Sequence, residues 1–153
     1  KFLCDIFDIW FRQDVGRVFV QLFESQIRHW AGWPSSLCIF AETCGTALAL
    51  EHNGDVYACD HYVYPEYRLG NLMDKPLREL VWSDPAYDFG QDKAEKLTEQ
   101  CRNCQFRSAC NGGCPKHRIL TSRDGEPGQN YFCESYMMFF RHAGPRLGLL
   151  ARS

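Results

Sequence analysis

A run of apolar residues long enough to cross a membrane, about 18, is missing from this sequence, so no membrane-spanning helix is expected. Charge of one sign is missing as well. Seventeen Lys and Arg stand against nineteen Asp and Glu, a net of −2, with neither a polybasic tail nor an acidic block. Bulk electrostatics therefore do not point to nucleic acid. Lys1-Phe2-Leu3-Cys4 has no basic n-region and no cleavage site, so a signal peptide is not expected, although a chain starting at Lys could have been trimmed. No internal repeat or low-complexity segment is visible.

Cysteine, in contrast, is plentiful, with nine in 153 residues. A disulfide scaffold fits poorly. Such scaffolds serve secreted chains under about 80 residues that lack a core, whereas this chain is longer and 45% hydrophobic. An odd count also precludes full pairing within the chain. Eight of the nine form one pattern: Cys38, then Cys44-x9-Gly54-x4-Cys59, then Cys101-x2-Cys104-x5-Cys110-x3-Cys114, then Cys133. Short loops of this kind converge several thiolates on one metal centre, and two groups of four would fill two sites. From spacing alone, iron–sulfur clusters and Cys4 zinc sites with a ribbon-like hairpin remain equal alternatives, with His52, His61 or His117 as substitute zinc ligands or, more simply, surface groups. Arg102, Arg107, Lys116, His117 and Arg118 flank the tight run, either as cations stabilising an anionic cluster or as a solvated basic face.

Periodicity places a helix over residues 1–13, with Phe2, Ile6, Ile9, Leu3, Phe7, Trp10 and Phe11 on a broad apolar stripe. Arg17–Phe23 reads as a buried strand, and residues 24–43 as irregular. Residues 46–59 carry a hairpin signature, in which Asn53-Gly54 suits a type I′ turn. The hairpin holds Cys44 and Cys59 near its open end. A short helix is expected at 76–82, and a second from Ser83 to about Glu99. The 101–114 run reads as turns, with Asn111-Gly112-Gly113 letting backbone pass close to a ligand. Residues 122–130 read as a polar loop, and a terminal helix starts at Cys133 and stops at Gly144-Pro145. The fold class is α+β: a small hairpin-centred, cysteine-rich metal-cluster domain with flanking helices.

The cysteine order resembles the seven-cysteine signature of the SPASM domain, which follows the barrel of many radical S-adenosylmethionine enzymes. The segments His52–His61, Tyr64–Tyr67, Leu69-Gly70-Asn71 and Cys110–Lys116 are similar to anaerobic sulfatase-maturating enzymes. The resemblance implies that residues 1–33 are a helix–strand remnant of a partial (β/α) barrel and that 34–153 form the SPASM domain. It also implies two auxiliary 4Fe–4S clusters, the nearer held by Cys38, Cys44, Cys59 and Cys114, the farther by Cys101, Cys104, Cys110 and Cys133. Cys4 is left over as a buried helix cysteine.

In that family a carboxylate directly after the third ligand acts as a base; here it is Asp60, whose plain alternative is a hydrogen-bonding loop residue. The implied reaction begins with a deoxyadenosyl radical taking a β-hydrogen from a cysteine or serine of a sulfatase polypeptide. Loss of the side-chain proton to Asp60 and of one electron to an auxiliary cluster leaves a thioaldehyde or aldehyde, ending as formylglycine. The Cys-x3-Cys-x2-Cys motif that binds the first cluster is absent, so S-adenosylmethionine and the third cluster belong to a longer parent and the chain alone is expected to be inactive. The parent would draw electrons from a reductant such as flavodoxin or ferredoxin, in a reducing cytoplasm. Other SPASM peptide modifiers, which form thioether or carbon–carbon crosslinks, are the alternative within this class.

Overall fold

Leu3, Phe7, Trp10 and Phe11 recur at helical spacing, and the computed structural model, which describes residues 1–45 and 47–152, forms a helix there, α1 (Phe2–Gln13). In chain order there follow α2 (Gln21–Trp30), β1 (Ala49–Leu50), β2 (Asp55–Tyr57), β3 (Arg68–Asn71), α3 (Leu77–Val81) and α4 (Asp84–Glu95). Next come α5 (Glu99–Arg102), α6 (Arg107–Cys110), β4 (Leu120–Thr121), β5 (Pro127–Gln129) and α7 (Cys133–Leu150). The class is mixed helix and small antiparallel sheet: β1-β2-β3 in one sheet and β4-β5 in another. The chain divides into two compact units, Lys1–Ala41 with the chain from Leu97 on, and Glu42–Lys96. Among the described residues no helix is long and apolar enough to cross a membrane.

The first unit is organised by aromatic rings. Phe7 of α1, Phe23 of α2 and Phe139 of α7 are all essentially inaccessible. Phe7 meets Phe23 edge-on at 5.2 Å and Phe139 edge-on at 5.8 Å, geometries that suit the ring quadrupole. Cys4 is buried beside Phe7 and Trp10 on the same helix, while Phe2 and Ile9 on the opposite side are exposed. The apolar stripe is thus wider than the face α7 covers.

The expected strand at 17–23 does not form. Val18 and Phe19 are exposed, and the link is held by the Trp10 indole donating to the Val18 carbonyl at 2.7 Å. A lone strand has no backbone partner here. From Gln21 the chain winds into α2, which buries Phe23 and Gln26 on one side, so the first part of the segment expected to be irregular, residues 24–30, is helical and the rest is irregular as expected.

The terminal helix also differs from expectation, running through Pro145 to Leu150. An interior proline costs about 3 kcal/mol, but Ala143, Gly144 and Leu147 are buried on this stretch and their packing carries the helix onward. A Cβ at Gly144 would stand 3.1 Å from Cζ2 of Trp30. Gly144→Val should therefore lower stability by about 1–3 kcal/mol through overpacking; an unchanged melting temperature would show that Trp30 moves freely.

In the second unit the hairpin forms, but its turn is not type I′. Thr46, at its expected start, lies outside the described residues. Glu51 and Gly54 close a turn through Gly54 N–H to Glu51 C=O (2.9 Å), and Glu51 N–H reaches Asp55 C=O (2.9 Å). Only Gly54, at φ 88°, is left-handed, which is the three-residue loop with a terminal glycine. Asn53 acts through its side chain instead, accepting the Asp55 N–H at 3.0 Å. Asn71 of β3 donates to Asn53 C=O (3.0 Å) and to Asp55 Oδ1 (2.9 Å), so a third strand that had given no local signal completes the sheet. Hydrogen bonds from Arg68 and Asn71 hold the Asp55 carboxyl well down, at about 2.

A candidate metal centre in a cysteine-lined cavity

Cys101 enters the site from α5, whose N-cap Thr98 accepts the Cys101 N–H on its hydroxyl at 3.3 Å. Cys104 follows the helix, and its sulfur accepts the Phe106 N–H at 3.4 Å. The one-turn α6 then ends in Cys110, so the run expected to be all turns contains two short helices. Cys133 opens α7 and donates its N–H to Asn130 C=O at 3.1 Å.

These four cysteines line a single cavity of about 340 Å³. Burial, followed by the charges of Cys101, Cys133 and Cys104, pushes the Cys110 thiol up to about 12. Burial also raises Cys133, with Cys101 and Cys104 again acting on it. With their pKa values raised, Cys110 and Cys133 stay protonated without metal and would shed their protons when one binds.

Three guanidinium-bearing residues, Arg107, Arg123 and Arg141, line the same cavity, and cations there offset the roughly −2 charge of an oxidised four-thiolate 4Fe–4S cluster. Of the cations flagged from sequence, Arg107 is among the lining residues. Arg102 instead pairs with Glu99 at 3.0 Å, and Arg118 donates to the Gly112 and Asn111 carbonyls at 3.2 and 3.1 Å. Gln129 also lines the cavity, its Nε2 buried and without a hydrogen-bond partner. Donor set, cations and orphaned amide all fit a 4Fe–4S cluster. Among the described residues no three His, Cys, Asp or Glu side chains are drawn together as ligands to a single ion.

Asn111, Gly112 and Gly113 have φ of 46°, 70° and 63°. Three successive left-handed residues reverse the chain sharply after Cys110 and deliver Cys114, which is buried. A Cβ on Gly113 would lie 2.4 Å from Asn130 Nδ2, so close approach as well as the turn requires glycine there.

Of the other predicted ligands, Cys38 and Cys114 belong to the first unit and Cys44 and Cys59 to the second. Cys38 lies exposed after α2. The Cys44 N–H donates to Gly90 C=O at 3.1 Å, and a Cβ at Gly90 would meet the Cys44 carbonyl oxygen at 2.6 Å. Cys59 follows β2. Its thiol donates to Asp60 Oδ1 at 3.3 Å, and His61 Nε2 stands 4.0 Å from Asp60 Oδ2. The Cys59 hydrogen bond, helped by His61, lowers the Asp60 pKa. The Asp60 side chain is 76% exposed.

Comparison with known proteins agrees with this chemistry. Residues 38–105 match SPASM, an iron–sulfur cluster-binding domain. The serine-type anaerobic sulfatase-maturating enzyme of Bacteroides thetaiotaomicron is 45% identical over 152 residues, 99% of this chain and 37% of that protein. The cysteine-type enzyme of Clostridium perfringens is 34% identical over 149 residues, 96% of this chain and 40% of that protein. A solved structure of native anSMEcpe with bound AdoMet and the Kp18Cys peptide superposes with a TM-score of 0.84 at 34% identity, covering 99% of this chain and 42% of that one. The chain thus spans about two fifths of the length of these relatives. Residues 38–105 are a SPASM iron–sulfur cluster-binding domain, and the chain that carries them is a homologue of the anaerobic sulfatase-maturating enzymes along nearly its whole length.

Proposed function

We propose that this chain supplies two auxiliary 4Fe–4S clusters and a proton-accepting carboxylate to an enzyme that oxidises a cysteine or serine of a sulfatase to formylglycine. The cavity bounded by Cys101, Cys104, Cys110 and Cys133 is the observation that carries the reading, since these are the ligands of the farther cluster. Cys38, Cys44, Cys59 and Cys114 would hold the nearer one. Such clusters, when bound, supply a one-electron acceptor. With every iron held by a cysteine no position is left open for substrate, which favours electron transfer over direct ligation. Asp60 is suited to the proton, being an exposed carboxylate directly after Cys59.

Relatives of both the serine and the cysteine type support the substrate class, a sulfatase polypeptide. The S-adenosylmethionine site, its own cluster and the reductant contact would lie in a longer parent working in the cytoplasm. Residues 1–33 would be the end of its partial barrel and 34–153 its auxiliary-cluster domain. Alone, the chain should make no formylglycine.

Anaerobic iron, sulfide and zinc analysis with a visible spectrum tests the proposal. About eight irons and eight sulfides per chain, with a broad band near roughly 400 nm, are expected. One or two zincs without sulfide or colour after anaerobic reconstitution would replace the redox role with a structural one.

A further inference from the structure

Gln129 lies on β5, is 4% exposed, and lines the cavity together with Cys101, Cys104, Cys110 and Cys133. Its Oε1 is fixed: the Thr98 hydroxyl donates to it at 2.7 Å. That hydroxyl has its proton to give because its oxygen already accepts the Cys101 N–H at 3.3 Å. The other end of the amide, Nε2, is buried with no hydrogen-bond partner. With Oε1 held by Thr98 and 3.5 Å from Cys101 Sγ, Nε2 is the end of the amide left without a partner at the cavity. A buried N–H with no acceptor is costly, and native proteins rarely leave one.

We propose that Gln129 donates a hydrogen bond to a thiolate sulfur of the farther cluster, Cys101 or Cys133, and thereby raises the reduction potential of that cluster. The inference rests on the cluster reading above. Reduction adds negative charge to the cluster, and a donor aimed at its sulfurs stabilises the reduced state more than the oxidised one. Thr98 is the positioning residue, tying the α5 end that carries Cys101 to the amide that serves the same site. Gln129 is not a ligand; it tunes the electron acceptor.

Gln129→Met keeps the length of the side chain and removes the N–H, while Gln129→Glu puts a carboxylate in its place. Both belong in the anaerobically reconstituted holoenzyme, with iron and sulfide counted and each cluster's midpoint potential measured by redox titration followed by electron paramagnetic resonance. One potential is expected to fall in the methionine variant and to fall further in the glutamate variant, with the others unmoved. Unchanged potentials at full iron content would overturn the proposal. A measurement on the unaltered holoenzyme guards against a variant that loses its cluster. With glutamine labelled by 15N at the side-chain amide, pulsed resonance of the reduced cluster should show a weak nitrogen coupling, and its absence would likewise overturn the inference. Failure of the cluster reading looks different: the unaltered protein would then carry no iron at this site, and Cys110→Ser would leave the iron count as it was.

Discussion

Replacing Cys110 with serine is expected to cut the iron of the anaerobically reconstituted chain from about eight atoms to about four, with sulfide falling in step. Cys110 is a proposed ligand whose thiol is pushed up to about 12, chiefly by burial. Only metal binding at that place returns enough energy to keep its sulfur ionised, because a desolvated thiolate without a cation is disfavoured. Serine supplies a hard oxygen that ionises far less readily than a thiol, and iron in a cluster takes thiolate. The visible band should lose about half its intensity, since the nearer set, Cys38, Cys44, Cys59 and Cys114, is untouched. The loss should also loosen the first unit locally, because Cys101 on α5, Cys110 on α6 and Cys133 at the start of α7 would no longer be tied through one centre. An iron count unchanged by Cys110→Ser would show that the cavity is not a cluster site. A count falling to zero would show that the two clusters assemble only together.

Much of this site was legible in the chain because its signals are local. Cysteine spacings of two and five residues put Cys101, Cys104 and Cys110 on short loops, and the structure brings them with Cys133 to one cavity; in the turn-rich Asn111-Gly112-Gly113 all three residues are left-handed. Apart from Arg107, the charged and amide groups around the cavity were not legible. Arg123, Gln129 and Arg141 come from β5, its turn and α7, and only tertiary folding brings them to the cavity. The same division runs through the fold. Helices α1, α3 and α4 announce themselves by periodicity and by proline at their starts. Segment 17–23 misled because Val18-Phe19-Val20 has strand chemistry, whereas the helix that follows is held by burial of Phe23 and Gln26, which no local propensity encodes. Pro145 misled for the same reason: Leu147 and Gly144 are buried beyond it, and packing outweighs the lost hydrogen bond. Asn53-Gly54 gave the hairpin correctly and its turn type wrongly, because the Asn53 side chain caps Asp55 and spares its backbone the left-handed conformation.

Asp60→Asn in the full-length enzyme should reduce formylglycine yield by a factor of about 10² to 10⁴, the usual contribution of a positioned base, while iron and sulfide stay at their unaltered values. Asparagine keeps the size and hydrogen-bonding shape of the side chain but cannot accept the proton. With Cys59 protonated, the surroundings of the carboxylate weaken it as a base. It is exposed, and the neighbouring Cys59 thiol and His61 hold its pKa below the ordinary value. The Cys59 hydrogen bond exists only while that sulfur carries a proton. Once Cys59 ligates a cluster its proton is gone, and the thiolate would stand beside the carboxylate as a like charge. Metal held by Cys59 would therefore release Asp60 from its donor and make it a stronger base. The sign of the pH dependence follows: a base with a carboxylate pKa acts above that pKa, and activity is lost as pH falls through it. In the Asn variant this acidic limb of the pH–rate profile should disappear along with most of the rate. A variant that kept full yield and the same acidic limb would remove Asp60 from the proton transfer and leave it a loop residue that bonds to Cys59. A variant that lost yield together with iron would assign Asp60 to assembling the nearer cluster.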